Sequence, residues 1–200
     1  RRGDVKSRPP DVFVLKFGGA GSRAERATLF PLDFWEELTA EIWAPNWPGF
    51  GESAGRAAAR PLADIGLRCY EEIRKRAGGR PIIVTGNSLG TAVALAVAAR
   101  HRDMAGLILR NPPPLRQLIV SKHGWYNLWV GAWLISRCVP PALDSIANAR
   151  GSDVPALFIT SGKDRVVPPA FQQIVYDAYA GPKRCLLLPN ADHADFPEQA

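Results

Sequence analysis

Short apolar runs alternate with longer segments of mixed polarity along most of this chain. The runs are rich in Val, Ile, Leu and Phe and stop at or near Gly, Pro or Asn, which is typical of buried strands; apolar residues at helical spacing mark the segments between them. The predicted strands are residues 11–16, 41–44, 81–85, 104–109, 155–160 and 184–188, and the predicted helices are residues 24–39, 61–76, 89–100 and 169–180. Strands with so few polar positions are buried on both faces, so the pattern predicts an α/β fold with a mostly parallel, doubly wound sheet.

Residues 112–153 interrupt this alternation, because they form a long, Pro-rich and aromatic segment. It follows a predicted strand at the end of the sheet where the glycine turns lie, so we expect a short helical lid over a site there. Trp125, Trp129 and Trp133 are spaced four apart within it. These side chains would contact an acyl chain or a membrane surface, or would pack the lid against the core.

The composition suits one globular domain over residues 1–200, since 46% of the chain is hydrophobic. The 25 Lys and Arg against 19 Asp and Glu give a net charge of +6, concentrated in the first ten positions and between Arg68 and Arg80. No DNA- or RNA-reading motif accompanies this charge. We therefore interpret it as a basic lead and a solvated helix face, and expect no nucleic-acid partner. The sequence indicates no oligomeric state.

The cysteines and the apolar runs bear on the compartment. Cys69, Cys138 and Cys185 have neither disulfide nor metal-ligand spacing. No run approaches the roughly 18 apolar residues that span a bilayer, and the Arg-rich start lacks the apolar region of a signal peptide. We expect a soluble, cytoplasmic protein without a bound metal. The first residue is not Met and the chain stops seven residues after His193, which we interpret as a trimmed piece of a longer protein.

Residues 86–90 read Gly-Asn-Ser-Leu-Gly, directly after a predicted strand and directly before a predicted helix. This is the setting in which G-x-S-x-G forms a nucleophile elbow, with the serine on a tight, strained turn. Side chains two residues on either side would clash, which gives Gly86 and Gly90 a steric purpose. We predict that Ser88 is a nucleophile; the alternative is a plain glycine-rich turn with a capping serine.

A serine nucleophile needs a base, and the chain has three histidines. His101 follows Ser88 by 13 residues along a predicted helix, which is roughly 20 Å and out of reach. His123 lies in the lid-like segment, where a bystander is the simpler interpretation. His193 follows the last predicted strand on a loop and can return to the edge of the sheet that holds Ser88, so we predict His193 as the general base.

The base needs a carboxylate to hold its imidazole in the correct tautomer. Asp164 lies on a loop after the strand at 155–160, which gives the order Ser, Asp, His. Asn111 is the other place for an acid, but an amide cannot stabilise imidazolium as a carboxylate does. Asp192 would need an awkward path back to its neighbour His193. A helix-capping or surface role for Asp164 is the alternative.

Hydrolysis through a tetrahedral intermediate also needs donors for the oxyanion. We predict the backbone N–H groups of Leu89, after the nucleophile, and of Gly19, in the glycine turn after the first strand. Glycine at position 19 would let the backbone approach a substrate closely.

Several separated motifs together resemble the alpha/beta-hydrolase superfamily, particularly its small-lid branch with depalmitoylase-like and monoacylglycerol-lipase-like members. They are FGGAG at 17–21, NWPGFGES at 46–53, GNSLG at 86–90, GKDRVVP at 162–168 and ADH at 191–193. The resemblance implies a serine hydrolase that cleaves a carboxylic ester or thioester through an acyl-enzyme intermediate, without a cofactor. Its partners would be a small-molecule or acyl substrate and, peripherally, a membrane.

The sequence departs from that family at three places. Phe17 stands where such relatives usually have histidine, and Thr91 stands where a further glycine often follows the elbow. The family's first two strands and final helix are not evident, as expected of a trimmed chain. With Phe17 in place of the usual histidine, we expect the oxyanion turn to need another support.

Two other function classes compete with the hydrolase. Gly19, Gly21 and Ala24 match the G-x-G-x-x-A pattern of a dinucleotide-binding oxidoreductase. That interpretation requires an acidic residue at the carboxyl end of the next strand, whereas Glu41 opens the strand. The second rival is a non-catalytic binding protein on the same fold, against which the presence of Ser88, Asp164 and His193 argues.

Overall fold

The computed structural model describes residues 9–24, 27, 37–123 and 137–195. The strands are β1 (Val12–Phe17), β2 (Ala40–Trp43), β3 (Ile82–Asn87), β4 (Gly106–Arg110), β5 (Ala156–Ser161) and β6 (Lys183–Leu188). The helices are α1 (Leu62–Ala77), α2 (Leu89–Ala98), α3 (Leu115–His123), α4 (Ser145–Arg150) and α5 (Pro169–Ala178), with a 3₁₀ turn at Pro141–Leu143. All six predicted strands are present, with each end within two residues of its predicted position. Most of the helix predicted at 24–39 lies outside the described residues.

The six strands form one sheet in the order β2-β1-β3-β4-β5-β6, and every neighbouring pair is parallel. The predicted mostly parallel sheet is therefore confirmed. Chain order reverses between β1 and β3, and in open α/β sheets ligands bind at such a reversal, outside the carboxyl ends of the strands. Phe17 at the end of β1 pairs with Gly86 near the end of β3, so the turns after these two strands start level with each other.

Three helices, α1, α2 and α5, pack on this sheet, and a fourth, α4, packs against two of them. α2 contacts β1, β3 and β4. α1 packs against α2 and β1, and α4 packs against both α2 and α5. α2 is apolar nearly all round and is buried from Gly90 to Ala98, as expected of a helix enclosed by other elements. α1 buries only one face, which includes Tyr70 and Ile73, and ends at Gly78 in the left-handed conformation. The helix that follows the elbow is thus the centre of the core.

Parts of the predicted lid segment are described. α4, near its end, packs in the core, with Ala149 fully buried and the Asp144 side chain capping the helix by accepting from Ala147 N at 3.1 Å. Trp125, Trp129 and Trp133 lie outside the described residues, so the lid and its role stay predictions. In the part of the chain that the structure describes, no helix is long and apolar enough to cross a membrane.

β6 lies at the edge of the sheet and pairs with β5. Leu186 is 44% exposed and Leu187 is 56% exposed, so neither face of this strand is covered as the central strands are. The loop after β6 carries His193, five residues beyond the last residue of the strand. The predicted base, His193, therefore follows the most exposed strand of the sheet.

Candidate active site

Ser88 sits on the tight turn between β3 and α2 in a strained backbone conformation, with φ 51° and ψ −121°. A non-glycine residue adopts such angles only where surrounding contacts hold it. Ser88 N donates to the carbonyl of Arg110 on β4 at 2.9 Å. Its own carbonyl accepts from Thr91 N at 2.9 Å and from Thr91 Oγ1 at 2.6 Å. Thr91, which departs from the family pattern, thus helps to hold the turn.

The two glycines of the motif have the steric purpose expected of them. A Cβ on Gly86 would lie 2.6 Å from Thr91 Cα, and one on Gly90 would overlap the carbonyl oxygen of Phe17. Both obstacles are backbone, which cannot turn aside as a side chain can. The turn after β3 can therefore close this tightly only with glycine at both positions, since residue 86 faces the backbone of α2 and residue 90 faces that of Phe17 on β1.

Replacing Gly90 by alanine is expected to lower the free energy of unfolding by about 1–3 kcal/mol or more, because the added methyl must push β1 and α2 apart. Urea denaturation followed by circular dichroism measures this. Gly151→Ala is the matched control, since a Cβ there would meet its nearest neighbour, Ala99 Cβ, at an ordinary 3.6 Å. Equal stabilities of the two variants would contradict the steric argument.

The structure brings Asp164 and His193 together, with Asp164 Oδ2 2.6 Å from His193 Nδ1. Asp164 is buried, at 3% exposed, on the loop after β5. Its other oxygen accepts from the backbone N–H groups of Val166 and Val167, both at 2.8 Å. Gln172 Nε2 donates to Oδ2 from 3.3 Å. Three donors thus hold one buried carboxylate beside the imidazole.

Gln172 was not foreseen from the sequence. It lies on the buried side of α5, 1% exposed, and the same amide also donates to the carbonyl of Val167 at 2.7 Å. A polar residue on the apolar face of the helix after the acid loop was the available signal, because buried polar groups need partners. Gln172 braces both the acid and the turn that carries it.

The alternative residues have other partners. The His101 ring stacks on Tyr70 with centroids 4.7 Å apart, and its Nε2 lies 3.4 Å from a carboxylate oxygen of Glu71. Asp192 accepts from the backbone N–H of His193 at 2.6 Å, so it holds the loop and not the ring nitrogen that Asp164 contacts. The side chain of His123 lies outside the described residues.

The glycine turn after β1 lies against the elbow. A Cβ on Gly19 would be 3.4 Å from Ser88 Cβ, so the missing side chain leaves the backbone beside the serine accessible. Ser22 Oγ donates to the Gly19 carbonyl at 2.9 Å and fixes that peptide. Leu89 is the first residue of α2, where backbone N–H groups have no partner within the helix. Gly19 and Leu89 therefore lie beside Ser88 on two different elements, and the role of their backbone N–H groups as oxyanion donors stays a prediction.

Phe17, the departure from the family pattern, is 1% exposed and stacks on Trp47, with ring centroids 5.9 Å apart. The Trp47 indole N–H donates to the carbonyl of Gly18 at 3.0 Å. Two packed aromatic rings and one hydrogen bond thus support the turn where relatives usually have histidine. Trp47 was missed in the sequence, although its motif at 46–53 was singled out.

Two other kinds of site find little support among the described residues. The Glu41 carboxylate, near the start of β2, accepts from Trp43 Nε1 at 2.9 Å and pairs with Arg76 at 3.4 Å. These contacts hold the Glu41 carboxylate near the start of β2. A ribose-binding acid lies instead at the carboxyl end of that strand. Within residues 9–24, 27, 37–123 and 137–195, no three His, Cys, Asp or Glu residues group as metal ligands.

Comparison with known proteins gives a consistent picture. Residues 18–200 match the sequence profile described as the alpha/beta hydrolase family. An uncharacterized protein of Mycobacterium tuberculosis is 29% identical over 189 residues, which cover 93% of this chain and 63% of that protein. The lysophosphatidylserine lipase ABHD12 of Danio rerio is 30% identical over 185 residues, covering 86% of this chain and 48% of that protein.

Among solved structures, a monoacylglycerol lipase of Paleococcus ferrophilus has a TM-score of 0.66 at 16% identity, covering 94% of this chain and 88% of that one. At this identity the likeness shows a shared fold. The chain spans less than two thirds of the length of the two curated relatives, at 63% and 48%.

Proposed function

Because this chain belongs to the alpha/beta hydrolase family, we propose that it is a serine hydrolase that cleaves a carboxylic ester or thioester. The observation that carries the proposal is the 2.6 Å contact between the buried Asp164 carboxylate and His193 Nδ1. The loops that hold both residues follow parallel strands, so they lie at the same edge of the sheet as the turn with Ser88. Nucleophile, base and orienting acid are the parts that acyl transfer needs.

In the proposed mechanism, His193 donates its Nδ1 proton in a hydrogen bond to Asp164, so Nε2 carries the lone pair that accepts the Ser88 hydroxyl proton. Ser88 Oγ bonds to the substrate carbonyl carbon, and the carbonyl oxygen becomes an oxyanion that accepts from the N–H groups of Gly19 and Leu89. The tetrahedral intermediate collapses, the alcohol or thiol leaves with the proton from His193, and an acyl-enzyme remains. Water, deprotonated by His193, then releases the acid and restores Ser88.

An ester or thioester is the substrate class that these residues favour. A serine oxygen can add to a carbonyl carbon, and two backbone N–H donors can stabilise the oxyanion that forms, without a metal ion. Two of the proteins similar to this chain are named as lipases of lysophosphatidylserine and of monoacylglycerol. We therefore propose an uncharged carbonyl carbon bearing an oxygen or sulfur leaving group as the reacting centre.

The proposal is tested by covalent labelling with a fluorophosphonate, which reacts with activated serines. We expect one adduct, located on Ser88 by peptide mass spectrometry, in the folded chain. The same chain unfolded by heat serves as the control and should not react, because the activated geometry depends on the fold. Folded protein without a Ser88 adduct would overturn the serine mechanism.

A further inference from the structure

The end of β4 carries two adjacent polar residues that are buried although no role in the chemistry has been given to them. Arg110 is 5% exposed and Asn111 is 0% exposed. Asn111 has φ 51°, and among the described non-glycine residues only Ser88 shares a positive φ. Burying a guanidinium and holding a side chain in this conformation both cost free energy. The contacts that offset these costs show what the pair does.

Arg110 links the backbone of the proposed nucleophile to that of the proposed base. Its carbonyl accepts from Ser88 N at 2.9 Å. Its Nη2 donates to the carbonyl of His193 at 3.0 Å and to the carbonyl of Asp195. Burial lowers the pKa of Arg110, while the carboxylates of Asp164 and Asp195 act in the opposite direction. The guanidinium remains a cation and an effective donor to both carbonyls.

Asn111 links the strand before the acid to the same loop. Its backbone N–H donates to the carbonyl of Ile159 at 2.9 Å, which extends the pairing of β4 and β5. Its Oδ1 accepts from Ser161 N at 3.0 Å, three residues before Asp164. Its Nδ2 points to the carbonyl of His193 at 3.5 Å. The positive φ turns this side chain back across the end of the sheet, where it reaches both partners.

We propose that Arg110 and Asn111 are positioning residues that hold the His193 carbonyl from two sides, so that the imidazole stays aligned between Asp164 and Ser88. This inference rests on the proposed function, because it concerns the alignment of the base in that chemistry. Within His193, Asp164 contacts only the imidazole ring. The Arg110–Asn111 pair holds the backbone carbonyl of the same residue. A displacement of about 1 Å at a reacting group lowers the rate on the order of 10²-fold.

The chemistry of both side chains suits this role. Arg110 reaches two carbonyls at once, for which a planar guanidinium with several N–H donors is suited and a single, strongly hydrated ammonium is not. Asn111 needs an acceptor for Ser161 and a donor for His193, and an amide supplies both. A carboxylate at 111 would turn an oxygen toward the His193 carbonyl and repel it. The amide at the alternative acid position thus has a purpose of its own.

The inference is tested by steady-state hydrolysis of a p-nitrophenyl ester by three variants, Asn111→Gly, Asn111→Asp and Arg110→Lys. The kcat of each is expressed per active site, with the sites counted by fluorophosphonate titration. Glycine tolerates the positive φ at 111, so that variant removes the side chain and keeps the backbone. We expect kcat to fall about 10- to 100-fold in each variant, with KM within about twofold of wild type, because alignment and not substrate binding is lost. Arg100→Lys is the matched control and keeps wild-type kcat, since Arg100 donates to Ala96 O on α2.

Proton NMR gives a readout that a merely structural role would not move. The Nδ1 proton held between His193 and Asp164 is expected as a low-field resonance in wild type, weakened or lost in Asn111→Gly although the variant unfolds cooperatively. If wild type reacts with the probe but Asn111→Gly keeps kcat within twofold and the resonance unchanged, the inference is wrong and the proposed function stands. If wild type forms no Ser88 adduct, the proposed function itself fails.

Discussion

Replacing Ser88 by alanine is expected to lower kcat for p-nitrophenyl ester hydrolysis by about six orders of magnitude. The variant lacks the oxygen that attacks the carbonyl carbon, and only the oxyanion donors and substrate binding would remain. The hydrogen bonds that close the turn involve Ser88 N and O, which alanine keeps, so the fold and the strained backbone should persist. Stopped assays over a series of acyl lengths measure the loss and, in wild type, show which acyl chain the site prefers.

Ser152→Ala is the matched control for this variant. Ser152 is buried, and its hydroxyl donates to the carbonyl of Asn148 at 2.8 Å. It precedes β5, so it lies beyond the amino ends of the parallel strands, whereas Ser88 lies beyond their carboxyl ends. Loss of this hydroxyl should change stability by about 1 kcal/mol and leave kcat within a few-fold of wild type. An S88A variant that kept a tenth or more of wild-type kcat would rule out Ser88 as the nucleophile.

The second large effect is expected for Asp164→Asn, with a fall in kcat of about 10⁴-fold. The amide oxygen can still accept from the backbone of Val166 and Val167, which places its NH₂ group toward His193 and Gln172. An NH₂ group facing Nδ1 forces that nitrogen to accept a hydrogen bond. Nε2 then carries the proton and cannot take the one from Ser88. The loss therefore comes mainly from the wrong tautomer. The NH₂ group also loses the hydrogen bond from Gln172 Nε2, which keeps its bond to the carbonyl of Val167.

Asp192→Asn separates this effect from a general loss of negative charge near the base. Asp192 contacts the backbone N–H of His193 and not its ring, and an amide oxygen can make the same contact. We expect kcat within about tenfold of wild type for this control and similar unfolding midpoints for both variants. Equal losses in the two variants would show that Asp164 is not the specific partner of His193.

The fold was predictable because its signals are local. Buried strands with few polar residues, separated by helical periodicity, predict a parallel sheet, and the structure confirms it. The elbow was also predictable, since strand, glycine, serine, glycine and helix follow one another without a gap. Chain order then placed Asp164 and His193 on loops after β5 and β6, which parallel pairing brings to one edge.

The supports of the candidate site could not be predicted in the same way. Trp47, Arg110 and Gln172 act through contacts with residues far away along the chain or on another element. The bond from Arg110 to the His193 carbonyl spans 83 residues, and no periodicity or motif records such a pair. From the sequence, Asn111 is a poor candidate for the orienting acid, because an amide cannot stabilise imidazolium. Its amide instead accepts from Ser161 N, and this contact depends on the register of β4 and β5, which the sequence does not reveal.

The edge position of β6 bears on how the candidate site is lost when the protein begins to unfold. Strands β1–β5 and α2 form most of the core and hold the turn with Ser88. The position of His193 depends on the pairing of β6 with β5. Among the described strands, β6 pairs with β5 alone and carries two exposed leucines, so it makes fewer buried contacts than the central strands and is expected to open before them. We therefore expect His193 to lose its position under mild denaturation before Ser88 does, while most of the hydrophobic core is still closed.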